Sequence, residues 1–149
     1  VLEPGADTLA LAGKAKLFEE FLAEEHTAGR LFMNLKPLKT NKALLHGHCH
    51  QKAFDAMGAV ERVLNLIPEL SVETINSSCC GMAGAFGYEA EHFDMSMNMA
   101  ELSLLPKVRE ADTDTLIVAD GTSCRHQIHD GAEREALHVA RILEMALAP

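Results

Sequence analysis

Short apolar segments alternate with amphipathic segments along this chain, and that alternation constrains the fold more than any other feature. Three segments have the length and apolar content of strands, at 43–49, 70–76 and 114–120. Helical periodicity is found in four segments, at 6–29, 51–67, 89–111 and 136–148. Strands that alternate with helices indicate a parallel sheet built from βαβ units. We therefore predict an α/β fold in three layers, with a small parallel sheet of about three to four strands flanked by helices.

The four cysteines all lie at or shortly after the ends of predicted strands. Cys49 comes at the end of the first strand, and Cys124 follows the third. Between them, the adjacent Cys79 and Cys80 follow the second strand. Ligands of open α/β sheets bind outside the carboxyl ends of the strands. We therefore expect the cysteine loops to converge at the C-terminal edge of the sheet and to form one site.

Composition narrows the class of protein. The chain has 149 residues, of which 48% are hydrophobic, and a formal net charge of −9. This charge argues against binding to nucleic acid or to an anionic membrane surface. No transmembrane segment or signal peptide is apparent, so we expect a cytoplasmic protein. We predict one compact domain, with an N-terminal helix and connection at 1–41 and a cysteine-rich domain at 42–149.

In a reducing compartment, the cysteines are better explained as metal ligands or catalytic thiols than as disulfides. Thiolates suit zinc, copper(I) or iron–sulfur clusters. The sequence lacks the C-x-x-C pairs of ordinary structural zinc sites, whereas the adjacent Cys79 and Cys80 could reach different metal ions of one cluster. Gly81, Gly84 and Gly87 would let the backbone approach a cofactor closely and donate N–H groups to it.

Histidines flank the cysteines and add candidate ligands. His48 and His50 lie on either side of Cys49, and His126 follows Cys124 by two residues. Their presence keeps zinc, with mixed Cys/His ligation, as an alternative to a cluster. A nucleophilic pair of Cys49 or Cys124 with a neighbouring histidine is a further alternative, but it leaves the cysteine doublet unexplained.

Three motifs together resemble a known family. These are "HCHQKA" at 48–53, "SSCCGMAGAFGYE" at 77–89 and "ADGTSCRHQI" at 119–128. They resemble the cysteine-rich, or CCG, domain of heterodisulfide reductase and of the iron–sulfur subunits of glycolate oxidase and anaerobic glycerol-3-phosphate dehydrogenase. The likeness is greatest to the C-terminal region of FAD-linked oxidoreductases of the D-lactate or D-2-hydroxyglutarate dehydrogenase type. It extends from about Lys42 to Ala148.

The resemblance implies an electron-transfer role beside an FAD domain and a ferredoxin-like domain. FAD and substrate would lie on those other parts, so this chain by itself should not turn over substrate. The full-length enzyme could be peripheral to the inner membrane face. The implied cofactor is an iron–sulfur cluster of the 4Fe-4S type, or zinc, and its ligands would be Cys49, Cys79, Cys80 and Cys124.

Two departures from the family pattern are apparent. Gln127 occupies the position of the last cysteine in the C-x-x-C of heterodisulfide reductase, a departure shared with the glycolate oxidase type. Relatives continue "LEP" with Ser-Cys, whereas Gly5 and Ala6 follow here. We interpret the chain as a C-terminal fragment with a segment missing near Pro4, a hypothesis that an intact-mass measurement would test.

Overall fold

The computed structural model describes residues 5–148, and its centre is a four-stranded sheet. The strands are β1 (Lys42–His46), β2 (Ser71–Thr74), β3 (Leu116–Ala119) and β4 (Ala136–Leu137). Their spatial order is β2-β1-β3-β4, and every neighbouring pair is parallel. The predicted α/β fold with a small parallel sheet is therefore confirmed. Pro4 lies outside the described residues.

Helices cover both faces of the sheet. In the described range they are α1 (Ala6–Ala12), α2 (Phe18–Thr27), α3 (Cys49–Ala53), α4 (Met57–Leu64), α5 (Phe93–Glu101), α6 (Leu104–Glu110), α7 (Thr122–Ala132) and α8 (Val139–Ala146). Two 3₁₀ turns, Phe86–Tyr88 and Ala90–His92, precede α5. None of the helices in residues 5–148 has both the length and the apolar character needed to cross a membrane.

The core consists of two apolar clusters, one on each face of the sheet. Successive strand residues point to opposite faces. Leu45 and Val118 accordingly pack in the cluster formed with α2, α4 and α8. Leu44 and Ile117 pack in the other cluster, with α6 and α7. The two clusters produce the expected three layers and fix the register of the strands.

The predicted helix at 6–29 is wrong as a single element, because the chain leaves helical geometry between α1 and α2. Gly13 caps the end of α1, and Leu17 is extended, with ψ of 157°. The Leu17 N–H donates to the Glu20 carboxylate at 2.8 Å, and this bond caps the N-terminus of α2 as a new helix. Apolar periodicity continued across this break and concealed it.

The other three predicted helices are also interrupted. At 51–67 the helix breaks before Ala56, where Asp55 has a positive φ of 57°. At 89–111 it divides into a 3₁₀ turn, α5 and α6, and Pro106 occupies the first turn of α6, where proline is tolerated. The segment at 136–148 begins with β4, whose two residues are too few to produce a strand pattern.

The strand order creates a crevice between the ends of β1 and β3. The chain passes from β1 to β2 on one side of β1, whereas β3 pairs with the other side. Such a point, where the strand order reverses, is the usual ligand crevice of an open α/β sheet. Gly47 and His48 follow β1, and Asp120 and Gly121 follow β3. His48, one of the ligands predicted from the sequence, therefore lies at this crevice.

Candidate metal centre

The four thiols converge as two pairs at the C-terminal edge of the sheet. Cys49 Sγ lies 3.9 Å from Cys79 Sγ, and Cys80 Sγ lies 3.4 Å from Cys124 Sγ. The cysteine doublet is therefore divided, with one thiol in each pair. All four thiols are free. The three loops meet as the sequence predicted.

The two pairs differ in exposure. Cys80 and Cys124, which we call the inner pair, are only 2% and 0% exposed. Cys79 is half-buried and Cys49 is exposed; we call these the outer pair. We call the four thiols together the thiol group. One end of this group therefore lies in the core, and the other end reaches solvent.

His46 adds a nitrogen to the inner pair. One ligand atom from each of His46, Cys80 and Cys124 lies within 4.8 Å of the other two. Nδ1 of His46 lies 2.9 Å from Ser77 Oγ, while the buried Nε2 has no hydrogen-bond partner among the described residues. Metal-bound histidines commonly have one ring nitrogen oriented by such a hydrogen bond and the other on the metal. An unpartnered buried nitrogen beside two sulfurs therefore fits a metal ligand.

The sulfur separations are compatible with shared metal ligation. Two thiolates on one tetrahedral zinc ion lie about 3.8 Å apart, and the observed separations are 3.4 and 3.9 Å. The donor set of two sulfurs and one imidazole nitrogen suits zinc or a cluster iron better than it suits magnesium or calcium. The residues present thus fit a soft metal centre.

The two thiols of the inner pair have pKa values shifted in opposite directions. The hydrogen bond from the Cys124 thiol, followed by the nearby His46 imidazole, lowers the pKa of Cys80, although burial acts in the opposite direction. The same contact with Cys80, together with burial, raises the pKa of Cys124. The pKa of Cys80 is therefore the lower of the two, and the thiolate is the form of cysteine that binds metal.

In the outer pair, the pKa of the Cys49 thiol is raised. Partial burial, and then the charge of Cys79, raises the pKa of the Cys49 thiol, while Lys52 acts to lower it. Nζ of Lys52 donates to the backbone carbonyl of Ser78 at 2.9 Å, and also to Ser77. This lysine thus joins α3 to the loop that carries the cysteine doublet.

The three histidines predicted as ligands lie around the thiols in different settings. His48 caps α3, where its Nδ1 accepts from the His50 N–H at 3.3 Å. Burial, followed by the neighbouring His50, lowers the pKa of His48. His126 lies 2.7 Å from the hydroxyl of Tyr88. None of the three belongs to a close group of three ligand atoms in the range 5–148, and their ligand role stays a prediction.

Two of the predicted cofactor-binding glycines have a packing role. Gly81 has a φ of +93°, and a Cβ there would lie 2.1 Å from the Ser96 carbonyl oxygen on α5. A Cβ at Gly87 would also collide with Ser96. Gly84 has a φ of +73° and open space around it among the described residues. The Gly81 N–H lies 3.3 Å from Cys79 Sγ, which is the kind of donor the sequence predicted for a cofactor.

Sequence reasoning included His46 among the histidines near Cys49 without selecting it as a ligand, and it assigned no role to Gly121. His46 ends an apolar strand, and a buried imidazole at the functional edge of a sheet was the available signal. A Cβ at Gly121 would lie 2.4 Å from His48 Cδ2 and 2.9 Å from Cys124 Sγ. Only glycine lets the loop after β3 approach this closely, so Gly121 brings the first and third cysteine loops together.

Gln127, noted in the sequence as a departure from the C-x-x-C pattern, has a structural role. Its side chain is 3% exposed, and its Nε2 donates to Ser96 O and Ser96 Oγ, both at 3.0 Å. These bonds join α7 to α5 behind the glycine loop. The buried amide of Gln127 thus holds two helices together.

Similarity to curated proteins points to redox enzymes. The chain is 31% identical over 114 residues to a subunit of the anaerobic glycerol-3-phosphate dehydrogenase of Escherichia coli strain K12, which is 76% of this chain and 28% of that protein. It is 29% identical over 124 residues to D-2-hydroxyglutarate dehydrogenase of the same strain, which is 80% of this chain and 12% of that protein. The protein of that name from Pantoea ananatis is 37% identical over 57 residues, 38% of this chain and 6% of that protein.

These relatives support an oxidoreductase-related domain that corresponds to a part of larger proteins. The chain spans little more than a quarter of the length of its relative in anaerobic glycerol-3-phosphate dehydrogenase. No protein-family model matches the chain, and no solved structure matches it at a significant level. The similarity and the thiol group together indicate a metal-binding or electron-transfer domain.

Proposed function

We propose that this chain is the electron-transfer domain of an FAD-linked 2-hydroxyacid oxidoreductase and that its thiol group binds an iron–sulfur cluster. The observation that carries the proposal is the convergence of four free thiols and an unpartnered imidazole nitrogen at one edge of the sheet. Similarity to dehydrogenases and their subunits supports a redox role for that group.

In this proposal, Cys49, Cys79, Cys80 and Cys124 hold the cluster, and His46 is available as a further ligand. The cluster would supply one-electron oxidation and reduction. Burial of the inner pair would keep water from one side of the centre, and hydrogen bonds to sulfur would tune its potential. The Gly81 N–H at Cys79 is one such bond.

The outer pair faces the proposed partners. Cys49 is exposed, so a cluster held there would lie close to the surface of the domain. An FAD domain and a ferredoxin-like domain of the same oxidoreductase could then approach it without any opening of the fold. In our proposal, electrons leave the flavin and reach the ferredoxin-like domain through this edge.

Anaerobic reconstitution with iron and sulfide tests the cluster. We expect iron and acid-labile sulfide to be retained after desalting, with visible absorption that reductant bleaches. Cys124→Ala should lose most of both, and the adjacent Ser123→Ala should retain them as a matched control. A wild-type chain that retains zinc or iron without sulfide would refute the cluster.

A zinc centre is the second candidate, and the His46, Cys80 and Cys124 group favours it specifically. Two sulfurs and a nitrogen within 4.8 Å of one another supply three ligands of a tetrahedral site. Zinc would then hold the three loops together and shape a docking surface without a redox role. Retention of one zinc per chain, with no sulfide after reconstitution, is the result that would select this alternative.

A further inference from the structure

A second group of potential ligands lies at the strand-order crevice, on side chains outside the proposed cluster ligands. One ligand atom from each of Glu19, Asp120 and His138 lies within 4.8 Å of the other two. Glu19 is in the first turn of α2, Asp120 directly follows β3, and His138 caps α8. Three separate elements therefore deliver two carboxylates and one imidazole to the same point.

Glu19 is the residue that most needs a partner. Glu19 is only 3% exposed, and its Oε1 has no hydrogen-bond donor within the described part of the chain. A buried carboxylate oxygen without a donor is costly unless a proton or a cation neutralises it. In agreement, burial, and then the charge of Asp120, raises the pKa of Glu19 to about 7.

The other two members are already oriented by hydrogen bonds. Asp120 accepts from Gln51 Nε2 at 2.5 Å and from the Val139 N–H at 3.0 Å. His138 Nδ1 accepts from the Ala140 N–H at 3.0 Å and lies 3.5 Å from Asp120 Oδ1. Asp120 Oδ1 and His138 Nδ1 therefore lie side by side next to the unpartnered oxygen of Glu19. Because the Ala140 N–H uses the lone pair of Nδ1, Nε2 is the His138 nitrogen left to bind a cation. Such a group of acceptors suits a cation.

A cavity of about 280 Å³ opens beside this group. Its lining includes all three residues, and Phe18, whose ring lies 6.5 Å from the His138 ring, forms one wall. His48 and Gly121 line the side towards the thiol group. A cation held by three protein ligands would have a coordination position open to this space, as catalytic metal sites do.

We propose that Glu19, Asp120 and His138 bind a divalent transition-metal ion with an open coordination position facing this cavity. Oxygen and imidazole ligands suit zinc or manganese, whereas the thiol group suits softer metals or a cluster. The site is thus chemically distinct from the thiol group. It also lies at the crevice where open α/β sheets usually bind ligands.

Manganese(II) is the probe that separates the two sites, because it prefers oxygen ligands to thiolates. We expect the metal-free chain to bind one Mn²⁺ by electron paramagnetic resonance titration. Glu19→Gln should weaken binding at least about tenfold. Glu24→Gln, on the same helix but exposed, makes the same charge change and should leave binding unaltered.

His138→Asn is the second variant, since asparagine can retain the cap of α8 while removing the imidazole. It should also weaken Mn²⁺ binding with little change in thermal stability, whereas Cys124→Ala should bind Mn²⁺ as the wild type does. The proposal is overturned if the wild-type chain binds no Mn²⁺, or if folded His138→Asn binds it as tightly as the wild type. Neither result depends on the presence of a cluster.

Discussion

At the scale of one residue, His46 is where the proposed metal centre would affect the stability of the chain. Its Nδ1 is bonded to Ser77, but its Nε2 is buried without a partner in the described structure. A buried nitrogen without a hydrogen bond costs about 1–3 kcal/mol. A bound metal would remove that cost, which is what we expect if His46 is a ligand of the proposed centre.

We predict that His46→Leu changes the stability of the metal-free chain by no more than about 1 kcal/mol, because loss of the Ser77 bond is offset by removal of the unpartnered nitrogen. The rise in Tm on metal binding, equivalent to about 2.7 kcal/mol at 100 times Kd, should be much smaller than in the wild type. Thermal unfolding with and without metal measures both effects. His129→Leu, at an exposed position on α7, is the control, and an equal metal-induced rise in His46→Leu would contradict the prediction.

The raised pKa of Glu19 predicts that the stability of the chain depends on pH. Its pKa is raised from the ordinary value of 4.5 to about 7 in the folded chain, chiefly by burial. The folded state therefore holds a proton that the unfolded state releases between these two values. In this window stability falls as pH rises, because the unfolded state binds fewer protons.

With chelator present, we expect the wild-type chain to lose up to about 3 kcal/mol of unfolding free energy between pH 4.5 and 8 relative to Glu19→Gln. Denaturant unfolding of both chains across this range measures the difference. Glu24→Gln should follow the wild-type curve. Parallel curves for the wild type and Glu19→Gln would show that the buried carboxyl does not titrate as described.

At the scale of elements, α5 and α7 hold the doublet loop in place. Gly81 and Gly87 pack against Ser96 of α5, and Gln127 of α7 donates to that same serine. The glycines permit the close approach, and the amide satisfies the serine carbonyl. The loop that carries Cys80 is therefore packed against a contact between α5 and α7.

Gln127→Ala should lower the unfolding free energy by about 1–3 kcal/mol, because two buried hydrogen bonds to Ser96 and the packing of the Gln127 side chain are lost. The metal content of the folded variant should stay near that of the wild type, since Gln127 makes no hydrogen bond to sulfur in the described contacts. Denaturant unfolding and metal analysis measure the two effects. Loss of metal at unchanged stability would instead make Gln127 a direct ligand.

Elements were predicted well where an apolar pattern extends over several turns or alternates with polar residues. The pattern could not show the breaks at Gly13 and Asp55, because those breaks arise from cap geometry and a positive φ within continuous apolar periodicity. It also could not show β4, whose two residues gain their strand conformation only by pairing with β3.

For the whole molecule, the position of the cysteines after three strands was enough to predict their convergence. That inference depends on the parallel topology, which brings all the strand ends to one edge. The division of the doublet between Cys49 and Cys124 could not be predicted, because it depends on side-chain direction in a loop. The same holds for Glu19 and Asp120, which are 101 positions apart and meet only through the packing of α2 on the sheet.

The proposed redox role requires one iron-containing centre at the thiol edge of the sheet. Anomalous diffraction at the iron absorption edge, from crystals of the anaerobically reconstituted chain, would locate that centre. We predict iron peaks within bonding distance of the sulfurs of Cys49, Cys79, Cys80 and Cys124. Iron peaks elsewhere, or a fully occupied zinc at the inner pair with no iron, would contradict the proposed role.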